Sequence, residues 1–94
     1  MNKIKQFAEE RDQAFTDFVM YDSWVSCLRF FRKWYGGVPK GIKEDVIKAG
    51  VYKAVQECTN ISKEVKAGAA KKCVLLGFRP TMRDPAHELR IFRV

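Results

Sequence analysis

The side chains best suited to binding chemistry in this chain are the cations of one segment. Between Ser23 and Lys43 the sequence has no aspartate or glutamate, and its basic residues are Arg29, Arg32, Lys33, Lys40 and Lys43. Guanidinium and ammonium groups bind phosphates and carboxylates through charge-assisted hydrogen bonds. The segment therefore predicts contact with a nucleic acid or with an acidic protein surface. A solvated face that only keeps the protein soluble is the alternative interpretation.

The rest of the chain strengthens this asymmetry of charge. The 94 residues contain 18 Lys and Arg against 11 Asp and Glu, which gives a net charge of +7. Residues 1–22 carry a net charge of −2, and residues 23–94 carry +9. Hydrophobic residues make up 47% of the chain, so its composition is that of a folded globular protein.

Aromatic residues accompany the cations. An aromatic stripe at helical spacing usually belongs to a core, although it can also stack on unpaired bases. Phe30 lies off the stripe that Trp24, Leu28, Phe31 and Tyr35 form, and it stands beside the basic residues. We therefore predict that Phe30 is exposed. The predicted partner-binding site consists of Arg29, Phe30, Arg32, Lys33, Lys40 and Lys43.

Residues that carry catalysis or bind metals are scarce. His87 is the single histidine and has no positioned cysteine or carboxylate partner, which argues against a catalytic triad and a metal site. The cysteines, Cys27, Cys58 and Cys73, form no C-x-x-C pair and fall on apolar helix faces, as small core residues do. The glycine-rich segment 36–41 lacks the Lys-Ser/Thr ending of a phosphate loop and predicts a turn. We expect no enzymatic activity, no cofactor and no bound metal.

Four amphipathic helices are predicted to position these residues. Apolar residues recur with a period near 3.6 over residues 4–19, 24–35, about 42–58 and, after a cap at Ser62, as far as 76. Gly36-Gly37 and Gly77 are placed where helices end. The connections are short, so consecutive helices should be neighbours. The sequence thus predicts an all-α, small single-domain bundle of about four helices over residues 1–78.

Residues 79–94 are predicted to form an irregular, extended tail. Pro80 and Pro85 interrupt any helix, and the last six residues are rich in β-branched and aromatic types. Two interpretations stay open. The segment is either a loosely ordered tail, part of which could be foreign to the natural chain, or a strand that pairs with the sheet edge of another chain.

Other partners and locations follow from the same patterns. No apolar run reaches membrane-spanning length and the N-terminus does not resemble a signal peptide, so we expect a cytoplasmic protein with no membrane partner.

Sequence-specific DNA binding by a helix-turn-helix is weakly supported, because the start of the fourth helix offers Lys63, Glu64 and Lys66, which are not the side chains that read base edges. Nonspecific binding to phosphates stays open. A homodimer is compatible with the small core.

Three segments of the chain resemble short proteins of Firmicutes phages and integrated elements. Residues 49–54 (AGVYKA) and 75–80 (LLGFRP) resemble the C-terminal half of such proteins, and residues 7–14 (FAEERDQA) are similar to their beginning. That group includes anti-CRISPR inhibitors of bacterial defence. The resemblance implies a non-enzymatic phage or mobile-element protein in the host bacterial cytoplasm. Such a protein would inhibit a host defence protein or ribonucleoprotein complex by occupying a surface.

The positive charge restricts how such an inhibitor could work. Acidic proteins that imitate DNA fill the cationic channel of an RNA-guided nuclease, and a chain of charge +7 would be repelled there. We expect it instead to bind an acidic protein surface, to contact guide RNA or target DNA, or to block a conformational step. The alternatives are a nonspecific nucleic-acid-binding helical module and a phage assembly or replication accessory whose charge only confers solubility.

Overall fold

A bundle of four helices makes up residues 2–79, the part of the chain that the computed structural model describes. The helices are α1 (Lys3–Tyr21), α2 (Trp24–Tyr35), α3 (Glu44–Glu57) and α4 (Lys63–Leu75). The predicted all-α class is confirmed, and each helix begins and ends within two residues of its predicted position. The predictions made for the tail beyond residue 79 lie outside the described residues.

The helices form two hairpins, α1–α2 and α3–α4, and the first hairpin packs on the second through α1. α1 packs against α2, α3 packs against α4, and α1 also contacts both α3 and α4. α2 packs chiefly on α1, so much of its surface is left to solvent. This arrangement explains why α2, which carries the cations, has an extensive exposed face.

The ends of the helices are fixed by residues that satisfy free backbone groups. The side chain of Asn2 accepts a hydrogen bond from the N–H of Ile4 at 2.9 Å, which caps α1. At the end of α4, Gly77 adopts a left-handed conformation with φ of 88°. The N–H of Phe78 then donates to the carbonyl of Cys73 at 3.1 Å, and the Phe78 ring packs against the core. Gly77 thus ends α4 as predicted, and Phe78 is the apolar residue that accompanies such a cap.

Aromatic rings dominate the core. Phe15 and Phe31 are fully buried, and Phe18 stacks on Tyr52 with ring centroids 4.6 Å apart. A small residue lets the two hairpins approach closely. A Cβ atom added at Gly68 of α4 would lie only 3.2 Å from Cγ1 of Val19 on α1. The α1–α4 contact is therefore set by the absence of a side chain at position 68.

Candidate functional site

The cations of the predicted site are all exposed. Arg29, Arg32 and Lys33 lie on successive turns of α2, Lys40 lies in the loop between α2 and α3, and Lys43 is the N-cap residue of α3. Their exposure agrees with the prediction of a cationic surface. Whether this surface contacts a partner stays a prediction.

Phe30 does not belong to this surface, and the prediction that it is exposed is wrong. Its exposed fraction is 5%. The Phe30 ring lies 5.3 Å from that of Phe7, 5.7 Å from that of Phe15 and 5.5 Å from that of Phe31, measured between centroids. The cause is the position of α2, which packs on α1 and turns position 30 toward the aromatic residues of α1.

Two grooves are lined by three cations of the predicted site, and Arg32 and Lys43 line neither of them. The first groove, of ≈ 310 Å³, separates α1 from α2, and Arg29 and Lys33 face Glu10 and Asp17 across it. The second groove lies between α2 and the α2–α3 loop, and Lys40 lines it. The two grooves therefore differ in their lining: the first contains two carboxylates beside its cations, and the second is mostly apolar, with Glu44 as its carboxylate.

Glu10 neutralises one cation of the predicted site. Its carboxylate accepts hydrogen bonds from Lys33 Nζ at 2.6 Å and from Trp34 Nε1 at 2.5 Å. The hydrogen bond from Lys33 is the largest cause that lowers the pKa of Glu10 from its ordinary value of 4.5. Lys33 thus joins α2 to the acidic helix α1, and it is less available to a partner than its neighbours on α2.

We expect the contribution of Glu10 to stability to disappear in acid. The pKa of Glu10 is lower in the folded chain than in the unfolded one. Its contribution is therefore complete above the unfolded value near 4.5 and is lost as the pH falls through the lowered folded value. Urea unfolding of the wild type and of Glu10→Gln should show a difference in unfolding free energy that is largest near neutral pH and shrinks below about pH 4.

Glu9→Gln is the matched control for this measurement. Glu9 is exposed and makes no ion pair with another residue in the range 2–79. Its replacement should change the unfolding free energy by less than about 0.5 kcal/mol. A difference for Glu10→Gln that stays constant between neutral and acidic pH would contradict the role assigned to its carboxylate.

Four cations remain available for a partner, and we call them the basic surface: Arg29, Arg32, Lys40 and Lys43. None of them makes an ion pair with another described residue. Free guanidinium and ammonium groups on an exposed face can form charge-assisted hydrogen bonds to carboxylates or phosphates at little cost in existing interactions.

The exposed face of α2 also contains two apolar residues that were not predicted to belong to the site. Val25 is 57% exposed and Leu28 is 37% exposed. Val25 lies one turn before Arg29, and Leu28 lies one turn before Arg32. Each apolar side chain is therefore on the same side of the helix as the cation that follows it. The sequence gives no signal for Leu28, because its spacing places it in the same stripe as Phe31 and Tyr35.

The cysteines occupy the core, as their apolar faces predict. Cys27, Cys58 and Cys73 are all buried. Burial raises the pKa of Cys27 and of Cys58, so both thiols stay protonated at neutral pH. The Cys27 thiol donates to the carbonyl of Ala14 and the Cys58 thiol to that of Ala54. These thiols act as packing groups between and within helices.

Over residues 2–79, no group of three or more His, Cys, Asp or Glu is placed so that it could hold a metal ion. No helix in the same range is long and apolar enough to span a bilayer.

Comparisons of the chain with protein-family models, with curated proteins and with solved structures found no match.

Proposed function

We propose that this chain is a non-enzymatic phage or mobile-element protein that inhibits a host defence complex in the bacterial cytoplasm. It does so by docking its basic surface onto an acidic face of a protein in that complex. The observation that supports docking is that four cations of the segment without Asp or Glu are exposed and have no carboxylate partner within residues 2–79. The choice of a defence complex, with an RNA-guided nuclease as the first candidate, comes from the resemblance of residues 7–14, 49–54 and 75–80 to phage proteins.

The exposed aliphatic side chains favour a protein partner over a nucleic acid. Val25 and Leu28 lie beside Arg29 and Arg32 on α2, so a partner that covers these cations also covers the aliphatic groups. A protein surface gains from burying them, at about 25 cal/mol per Å² of apolar area, whereas a phosphate backbone offers no apolar group for them. The burial of Phe30 also removes from this surface the one aromatic ring that was predicted to be exposed beside the cations, where an unpaired base could stack on it.

Nonspecific binding to nucleic acid is the second candidate, because the same cations could contact phosphates. Fluorescence anisotropy with labelled duplex DNA and with single-stranded RNA tests it. Binding through phosphates weakens steeply between about 50 and 200 mM salt, because counterions are released on association. Absence of binding at the lower salt concentration would eliminate this candidate.

Inhibition of nuclease cleavage tests the proposed function. We expect the wild-type protein to block DNA cleavage by an RNA-guided nuclease at near-stoichiometric concentration. The double variant Arg29→Glu/Arg32→Glu should raise the concentration needed for half inhibition at least ~10-fold, because two attractive charges become repulsive. Far-UV circular dichroism should show that this variant keeps its helices, since both side chains are exposed.

The variant Lys5→Glu/Lys63→Glu controls for net charge. It changes the charge of the protein by the same amount, at exposed positions on α1 and α4 that lie outside the basic surface. This control should inhibit as the wild type does. The proposed function fails if cleavage is unchanged across all the nucleases tested, or if Arg29→Glu/Arg32→Glu inhibits as well as the control.

A further inference from the structure

The groove between α2 and the α2–α3 loop has the lining of a binding site for an apolar side chain. Its volume is ≈ 550 Å³, within the range of small-molecule and side-chain pockets. Its apolar lining is formed by Trp24, Leu28, Val38, Pro39, Ile42 and Ile47. We call it the loop groove. It exists because α2 packs chiefly on α1, which leaves the space between α2 and the start of α3 to the loop alone.

Two glycines give the α2–α3 loop its backbone path, because they adopt positive φ angles that cost other residues conformational energy. Gly37 has φ of 130° and Gly41 has φ of 84°. Neither glycine would meet another atom within 4 Å if it carried a Cβ, so its conformation and not crowding accounts for its presence. The loop thus forms one wall of the loop groove in a defined path, opposite Trp24 and Leu28.

Trp24, which lines the loop groove, has an unused hydrogen-bond donor. The Nε1 atom of Trp24 has no hydrogen-bond partner among residues 2–79, and it is not buried from solvent. The other tryptophan is different, because Trp34 Nε1 already donates to Glu10. Indole N–H groups of half-buried tryptophans usually find an acceptor. A carbonyl or carboxylate oxygen of a bound segment would provide one at Trp24.

The charges around the loop groove select an acidic occupant. Lys40 lines it, Lys43 stands between two lining residues, and Lys48 Nζ lies 5.7 Å from the centre of the Trp24 ring. Glu44 is the one carboxylate in the lining, and it is paired with Lys48 at 3.8 Å. Asp45 follows Glu44 and is exposed, so three lysines stand against two carboxylates and an excess of one positive charge remains around the groove.

We propose that the loop groove binds a short acidic segment of the partner protein. One aliphatic or aromatic side chain of that segment occupies the groove, and the flanking carboxylates contact Lys40 and Lys43. This inference rests on the proposed function and names the chemistry of the partner's contact. Burial of the apolar side chain provides most of the affinity. The lysines make the groove prefer segments whose neighbouring residues are acidic.

A nuclear magnetic resonance titration of the full chain tests this proposal. The probe is a pool of blocked pentapeptides with two acidic residues on each side of a central Leu, Ile, Met, Phe or Trp. We expect a saturable shift of the Trp24 indole N–H signal, and little change in the Trp34 indole signal, whose donor is already used. A matched pool with Ser or Gln at the centre should bind at least ~10-fold more weakly, because it has no large apolar side chain to bury.

Two variants link the titration to the groove. Leu28→Ser removes a wall of the loop groove and should weaken binding of the apolar pool about 10-fold. Leu75→Ser makes the same change at an exposed position of α4, outside the groove lining and the basic surface, and should leave binding unchanged. The proposal is overturned if the Trp24 signal does not shift saturably, if both pools bind equally, or if Leu28→Ser and Leu75→Ser behave alike.

Failure of this inference can be told apart from failure of the proposed function. If Leu28→Ser inhibits nuclease cleavage fully while Arg29→Glu/Arg32→Glu does not, the basic surface binds the partner and the loop groove does not. If no nuclease is inhibited but the acidic, apolar peptides bind at Trp24 with the expected dependence on Leu28, the groove is a binding site and the defence complex is not its target.

Discussion

Phe30→Ala destabilises the folded chain by about 3–5 kcal/mol, because it empties a position inside an aromatic core. The Phe30 side chain is 5% exposed, and its ring contacts those of Phe7, Phe15 and Phe31. Single domains are stable by about 5–15 kcal/mol in total, so a loss of this size removes a large part of the stability. Urea unfolding followed by circular dichroism at 222 nm measures it.

Neighbouring substitutions show whether position 30 is core or surface. Arg29→Ala, at an exposed position one residue earlier, should change the unfolding free energy by less than about 0.5 kcal/mol. Phe30→Leu keeps an apolar side chain and should cost less than Phe30→Ala, so it stays measurable if the alanine variant does not fold. If Phe30→Ala costs no more than Arg29→Ala, the side chain is exposed and the position given to α2 is wrong.

The helices could be predicted because the information that defines them is local. Apolar residues at a period of 3.6 define each segment, and glycines at positions 36 and 77 end α2 and α4 in left-handed conformations. α3 begins at Glu44 rather than at the predicted Ile42, because Lys43 adopts the extended conformation of an N-cap. Such a difference of two residues is normal at a helix end.

The burial of Phe30 could not be predicted, because it depends on which helix α2 packs against. Two stripes overlap on α2. One contains Leu28 and Phe31, and the other contains Cys27 and Phe30. Packing on α1 buries Cys27, Phe30 and Phe31 and leaves Leu28 37% exposed. The periodicity identifies an apolar side of the helix, and only the tertiary arrangement decides where the edge of that side falls.

Ion pairs between distant segments are equally hidden in the sequence. The cations of α2 are predicted to be exposed because charged side chains are rarely buried, and they are. The pair between Lys33 and Glu10 joins residues 23 positions apart, and no local pattern indicates it. It changes the candidate site, because only four of the site's five cations are left without a carboxylate partner among the described residues.

Lys72→Met should destabilise the protein by about 1–3 kcal/mol, because it removes a donor that completes the end of another helix. Lys72 Nζ, on α4, donates to the carbonyl of Val19 at 2.6 Å and to the carboxylate of Asp22 at 2.5 Å. The chain turns away at Asp22, which adopts φ of 53°, and the N–H of Ser23 donates to the carbonyl of Asp17 instead of Val19. The carbonyl of Val19 therefore depends on Lys72.

Adjacent and partner substitutions separate this cap from a general effect of charge. Lys71→Met removes the same charge from an exposed neighbour on α4 and should change the unfolding free energy by less than about 0.5 kcal/mol. Asp22→Asn keeps a residue type that tolerates the left-handed conformation and removes the carboxylate. In a double-mutant cycle, Lys72→Met and Asp22→Asn should be less than additive, because both remove the same contact.

The position of Lys72 explains why its loss should matter more than that of an ordinary surface lysine. Its side chain is 28% exposed, and it connects the end of α1 to α4, so it joins the two hairpins. The contact also lies on the same helix pair as the close approach of Gly68 to Val19. Without Lys72, the carbonyl of Val19 would have to accept a hydrogen bond from water at the interface between α1 and α4. Equal stabilities of Lys72→Met and Lys71→Met would show that water satisfies this carbonyl and that the hairpins are held together by apolar packing alone.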